Sequence, residues 1–203
     1  MIKYSFFSLL VASLFLVSAC SNGAAALEEP IEEKETSTFA PDYEWPIASF
    51  EALNQDNINI TEEDYQGKVW IMNMIFTNCE TVCLPMTANM VKLQNQLAAQ
   101  GLDVQLVSFS VDPLIDTPEV LKEYALSYKG NLSNWDLLTG YSAEDIKRIA
   151  KSVKTLAEKP EGTNQVTHGT KFFLVNQEGT IVTGYDGVNL PIDEIITDLK
   201  NIQ

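Results

Sequence analysis

Histidine occurs once in this chain of 203 residues, as His168, arginine once, as Arg148, and cysteine three times, as Cys20, Cys79 and Cys83. Structural zinc normally takes four protein ligands, and once Cys20 is assigned to the lipid anchor argued below, the chain offers no third cysteine and no second histidine. Basic residues are scarce as well: 13 Lys+Arg stand against 28 Asp+Glu, a formal charge of −15. No basic patch is available to displace counterions from phosphates, so nucleic-acid binding is disfavoured. A preference for cationic partners is permitted but not established by charge alone. Long hydrophobic runs are missing too. The run from Phe6 to Val17 is too short to cross about 30 Å of hydrocarbon as a helix.

That short run has another reading. Lys3 precedes it, and Val17-Ser18-Ala19-Cys20 follows, which makes a basic n-region, an export-length h-region and small residues before a cleavage point. The last four residues resemble a bacterial lipobox, so residues 1–19 are expected to be a lipoprotein signal peptide and Cys20 the lipidated first residue of the mature chain. A lipobox places the protein on the outer face of a bacterial cytoplasmic membrane, held there by its lipid. Removing Lys3 with the signal leaves 12 basic side chains against 28 acidic ones, a formal charge of −16. Residues 21–44 hold six glutamates, one aspartate and almost no large apolar side chains, so 20–44 reads as an acidic, solvated tether. The segment 45–203, about 160 residues, is one domain with room for a real core. Cys79 and Cys83 are then its only thiols, in an extracytoplasmic setting.

Within that domain the hydrophobic period alternates. Val69–Phe76 and Val104–Val111 are near-continuous apolar runs, the pattern of strands covered on both faces. Between them Thr87–Gln100 reads as a helix with Met90, Leu93 and Leu97 on one face and Gly101 at its end. Asp116-Thr117-Pro118-Glu119 starts a second helix running to about Tyr128, with Asp116 the expected N-cap. Trp135–Leu138 is a short strand. Ser142–Val153 is a third helix, opened by Ser142 with Asp145 three residues on. Lys171–Val175 and Thr180–Gly184 flank the turn Asn176–Gly179, and Pro191–Ile202 supplies a last helix. Ile47–Phe50 and Ile58–Ile60 suggest a small N-terminal hairpin. The order β-α-β-α-β-α-β-β-α predicts an α/β, thioredoxin-like fold, a central mixed sheet flanked by helices, with the hairpin and one inserted helix as additions.

In this layout Cys79 and Cys83 fall just past the carboxyl end of the first long strand, where open α/β sheets gather ligands. A helix N-terminus there is expected to lower thiol pKa and keep at least one thiolate accessible near neutral pH. His168 stands in Gln165-Val-Thr-His-Gly-Thr170, in the loop that passes beside the cysteine turn in such a fold. Taken alone, a single histidine is an ordinary surface or satisfied polar residue; two thiolates and one imidazole together suit copper. Asp112, at the end of the second long strand, is a candidate partner for the imidazole and equally a plain strand-ending Asp-Pro turn. Met86 and Met90 are soft donors at helical spacing, more simply explained as core packing. Arg148 lies in an amphipathic helix, badly placed to serve a peroxiredoxin-like peroxidase.

The stretches FTNCETVCLPM at 76–86, Ser110-Val-Asp-Pro113 with Asp116-Thr-Pro118, and Val166-x-His168 before Phe172-x-Leu-Val-Asn176 resemble the Sco/SenC family, in order and spacing from roughly Phe50 to the C-terminus. The resemblance implies that Cys79, Cys83 and His168 bind one copper ion, Cu(I) or Cu(II). It implies a role as a membrane-anchored metallochaperone for the binuclear copper centre of cytochrome c oxidase. The partners implied are the copper-bearing subunit of the oxidase and other copper carriers or thiol reductants. The alternative is a thiol-disulfide oxidoreductase, with Cys79 attacking and Cys83 resolving, that keeps the oxidase cysteines reduced. Many members have proline directly after each cysteine; here Glu80 and Leu84 hold those places and Pro85 follows one later.

Overall fold

The computed structural model describes residues 39–79, 83–160, 162–163 and 165–203. The expected signal peptide, Cys20, the tether as far as residue 38, and Glu80 lie outside the described residues. Among the described residues no helix is long and apolar enough to cross a membrane.

Among the described residues ten strands and four α-helices follow in chain order. They are β1 (Trp45–Pro46), β2 (Glu51–Leu53), β3 (Asn59–Thr61), β4 (Trp70–Ile75), α1 (Cys83–Gln100), β5 (Gln105–Ser110), α2 (Pro118–Ser127), β6 (Trp135–Leu138), α3 (Ala143–Ser152), β7 (Ala157–Glu158), β8 (Thr167–His168), β9 (Lys171–Val175), β10 (Thr180–Asp186) and α4 (Ile192–Ile202). Six strands form one sheet in the order β1-β10-β9-β4-β5-β6. β4–β5 and β5–β6 are parallel, while β4–β9, β9–β10 and β10–β1 are antiparallel. This is the mixed α/β sheet expected from the alternating periods.

Every residue of β4 is buried, which is why its sequence shows no polar face. Its side chains alternate between two cores. Ile71 and Ile75 pack with Met86, Met90, Leu93 and Leu97 of α1, Leu121 of α2 and Leu199 of α4. Trp70, Met72 and Met74 face the other way, onto Phe50, Tyr65, Ile146, Ile149 and the two cysteines. Met86 and Met90 are therefore core residues on the face opposite Cys79 and Cys83, as the packing reading expects.

Several local elements differ from the sequence reading, each for a physical reason. The N-cap of α2 is Thr117, whose side chain accepts from Val120 N–H, not Asp116. Asp116 is turned inward instead. The N-terminal ribbon pairs β2 with β3, so its first strand lies C-terminal to the expected 47–50. Residues 39–44, expected as the end of the tether, pack on the domain: the N–H groups of Asp42 and Tyr43 donate to Val182 O, and Tyr43 stacks on Trp45 at 4.0 Å. Two aromatic side chains, Phe39 and Tyr43, provide the apolar contact that an acidic composition hides. The β7–β8 ribbon has no precedent in the periodicity, being only two residues per strand.

The capping box of α3 is formed as its sequence implies. Asp145 N–H donates to Ser142 Oγ at 3.2 Å, and Ser142 Oγ donates to Asp145 Oδ2 at 2.7 Å. Ser142→Ala is expected to lower unfolding free energy by about 1 kcal/mol, measured by urea denaturation, because it leaves a first-turn N–H without its acceptor.

Candidate metal centre

β4 and β5 run parallel in a register that pairs Ile75 with Ser110, so both strands end at the same level. The chain leaving β4 turns at Thr77-Asn78-Cys79, and Cys83 opens α1. Cys83 N–H donates to Cys79 Sγ at 3.4 Å, a helix-start bond that draws the first sulfur over the helix N-terminus. The two cysteines stand as thiols, 5% and 0% exposed.

His168 arrives on β8, whose register sets it opposite Ala157. Its Nε2 lies 3.2 Å from Cys83 Sγ, and its Nδ1 lies 2.8 Å from the carbonyl oxygen of Gly169. A carbonyl can only accept, so Nδ1 carries the hydrogen and Nε2 presents a lone pair. Phe76 meets the ring edge-on, at 5.6 Å and 88°, and limits its rotation. The three donor atoms all lie within 4.8 Å of one another. Donors sharing one ion through bonds of about 2.0–2.3 Å stand up to about 4.6 Å apart, so small side-chain adjustments suffice. The donor set is soft on two sides and borderline on the third.

Burial governs the electrostatics. Desolvation pushes the Cys83 thiol well above the ordinary thiol range, with the hydrogen bond to Cys79 adding to it. Cys83 is thus not a thiolate favoured by the helix start: a fully buried sulfur loses more in solvation than the first-turn N–H groups return. Desolvation also lowers the pKa of His168, opposed by its bond to Gly169. The imidazole is therefore neutral near pH 7, as a metal ligand must be.

Asp112 is 5% exposed, but its carboxylate faces Lys159, with Oδ2 2.6 Å from Nζ. The partner of the imidazole is Gly169 O rather than Asp112, because β8 continues directly into that carbonyl. Sequence reasoning missed three residues near the donors. Asp116 is 0% exposed and accepts from Thr77 Oγ1 at 2.6 Å and Ser110 Oγ at 2.5 Å. Burial raises its pKa while those hydroxyls lower it. The signal that could have exposed it is the pair of cap candidates in Asp116-Thr117, of which a helix uses only one. Lys159 and Thr77 carry no such signal. Arg148, exposed on α3, donates to Ser49 O and Asp145, neither of which belongs to the donor set. Grooves of about 490 Å³, beside Glu62 and Arg148, and about 530 Å³, beside Lys92 and Pro191, include none of the three donors.

The family model described as SCO1/SenC matches residues 42–203. The chain belongs to the SCO1/SenC family. A SCO1 protein homolog of Bacillus subtilis is 42% identical over 194 residues, covering 95% of this chain and 94% of its own length. A SCO1/SenC family lipoprotein of Bacillus anthracis has a solved structure with TM-score 0.76 and 47% identity, covering 78% of this chain and 95% of that one. BsSco, solved in work on a disulfide switch and described as a member of the Sco family of cytochrome c oxidase assembly proteins, gives TM-score 0.73, 46% identity, and 80% and 95% coverage. ScoI of Arabidopsis thaliana, solved with copper bound, gives TM-score 0.65, 29% identity, and 77% and 97% coverage. The fold is accordingly the thioredoxin-like one expected from the element order.

In the metal-free protein His168 is expected to titrate below 6.5, with hydrogen on Nδ1, readable from ring nitrogen and proton shifts by NMR. Its folded pKa lies below the unfolded one, so as pH falls through 6.5 the unfolded chain takes up the proton first. The stability contributed by neutral His168 is present above 6.5 and is lost on acidification below it.

Proposed function

We propose that Cys79, Cys83 and His168 bind one copper ion, and that the chain is a lipid-anchored metallochaperone on the outer face of the cytoplasmic membrane. There it serves assembly of the binuclear copper centre of cytochrome c oxidase. The observation that carries this reading is the convergence of the three donor atoms within 4.8 Å, with a neutral imidazole already presenting Nε2 to the sulfurs. Two thiolates and an imidazole suit copper, and copper-bound and oxidase-assembly relatives share the fold. Membrane attachment through Cys20 rests on the lipobox and on the lipoprotein relative of Bacillus anthracis.

A second reading, thiol-disulfide exchange, is favoured by the direct approach of Cys83 N–H to Cys79 Sγ, which holds the two thiols together. In that reaction Cys79 attacks a protein disulfide, Cys83 displaces the mixed disulfide, and two electrons and two protons pass to the partner as two thiols. The 0% exposure of Cys83 and 5% exposure of Cys79 suit Cys79 as the sulfur that meets the partner.

Titration with Cu(I) and Cu(II) is expected to give one ion per chain, and His168→Ala should weaken binding by at least about tenfold. Unchanged affinity in that variant would overturn the metal site and promote the exchange reading, which has no need of an imidazole. The Cys83 thiol keeps its proton at pH 7, whereas His168, already neutral, binds through Nε2 without releasing one. Copper binding is therefore expected to expel at least one proton, and apparent affinity to rise about tenfold per pH unit for each thiol ionised. Calorimetry in buffers of different ionisation enthalpy counts that proton.

A further inference from the structure

Two carboxylates of one loop reach the two halves of the metal centre, and neither is a ligand. The loop is 110–116, between β5 and α2. It is tied to itself: the N–H groups of Ile115 and Asp116 both donate to the Asp112 carbonyl at 3.0 Å, and Asp112 N–H donates to Ser110 Oγ at 3.1 Å. On one side Asp116 accepts from the backbone N–H of Thr77, 3.3 Å from each oxygen, and from Thr77 Oγ1 at 2.6 Å. Thr77 precedes Cys79 by two residues. On the other side Asp112 accepts from Lys159 Nζ at 2.6 Å. Lys159 directly follows β7, whose Ala157 and Glu158 pair with His168 and Thr167.

The histidine needs such an anchor. β7 and β8 form a separate two-stranded sheet with only two residue pairs, outside the six-stranded one. A lone ribbon of that size is not stable in water by itself. The contact between its loop and the cysteine turn, Gln165 Nε2 to Asn78 O, is long at 3.5 Å. The Lys159–Asp112 pair is short and largely withdrawn from water on the aspartate side, where the side chain is 6% exposed against 38% for the lysine. Burying two carboxylates within five residues costs solvation that only well-placed donors offset, and here, besides Ser110 Oγ of the loop itself, the donors belong to the two segments carrying the metal ligands.

We propose that loop 110–116 is a positioning clamp for the metal centre. Asp116 sets the cysteine turn through Thr77, and Asp112 sets the His168 arm through Lys159. The consequence for copper rests on the copper reading above; the mechanical part does not.

The test uses the full-length chain in detergent micelles. In the metal-free protein Lys159→Met, which keeps the side-chain stem, should raise amide hydrogen exchange in β7 and β8 about tenfold and move the His168 ring resonances. Amides of β9 should stay unchanged and serve as the control for folding. With copper, Lys159→Met should weaken binding about tenfold, within the usual range for groups that orient a ligand. In the His168→Ala background it should cost nothing further, because Lys159 acts through His168. Asp116→Asn should weaken copper in both backgrounds without faster ribbon exchange. Unchanged ribbon exchange and unchanged His168 resonances in Lys159→Met would overturn the clamp, as would an equal loss of copper affinity in both backgrounds. A His168→Ala chain that binds copper like the parent overturns the copper reading instead, and the exchange data then decide the clamp alone.

Discussion

The parallel pairing of β4 with β5, ending at Ile75 opposite Ser110, is the constraint on which the metal centre depends. Because the strands stop together, the cysteine turn after β4 and the aspartate loop after β5 emerge side by side. Val111 N–H closes the pair by donating to Ile75 O at 2.8 Å. A one-residue slip would send Cys79 toward the wrong face, since strand side chains alternate with a period of two. Register is protected by burial: Trp70, Met72 and Met74 fill one core while Ile71 and Ile75 fill the other, so a slip exposes no polar face to compensate.

Burial then sets the chemistry. Cys79 and Cys83 belong to the same buried cluster as Phe76, Val111 and Val166, and for Cys83 that apolar surrounding disfavours the thiolate in the absence of a cation. A cation that enters offsets that penalty and must displace the thiol proton to do so. The imidazole is already in the form required, its tautomer fixed by Gly169 and its ring held by Phe76. The backbone next to the ligand supplies the orienting acceptor that a carboxylate often supplies elsewhere.

Much of this was legible in the sequence, for identifiable reasons. The long elements show because a strand buried on both faces and an amphipathic helix leave different periods, and the cap of α3 shows because Ser142 and Asp145 are three apart. Cys79, Cys83 and His168 are legible because they are the chain's single histidine and two of its three cysteines. What was not legible depends on long-range contacts between polar residues. Nothing local pairs Asp112 with Lys159, 47 positions away, or Asp116 with Thr77, 39 positions away. The raised pKa of Cys83 was not legible for the same reason: a helix start is a local feature, whereas the burial of Cys83 is a property of the assembled core.

The copper and exchange readings draw on one geometry and exclude one another at any instant. A disulfide needs the two sulfurs at a bonding distance of about 2 Å, whereas two sulfurs on a shared ion stand roughly twice as far apart. In the thiol form Cys83 Sγ lies 3.2 Å from His168 Nε2, so the three donors stand together while the pair is reduced. Oxidation removes both soft donors together and leaves a lone neutral imidazole, which cannot hold the ion. On the copper reading, the oxidation state of one buried pair therefore decides whether His168 has a ligand set to complete.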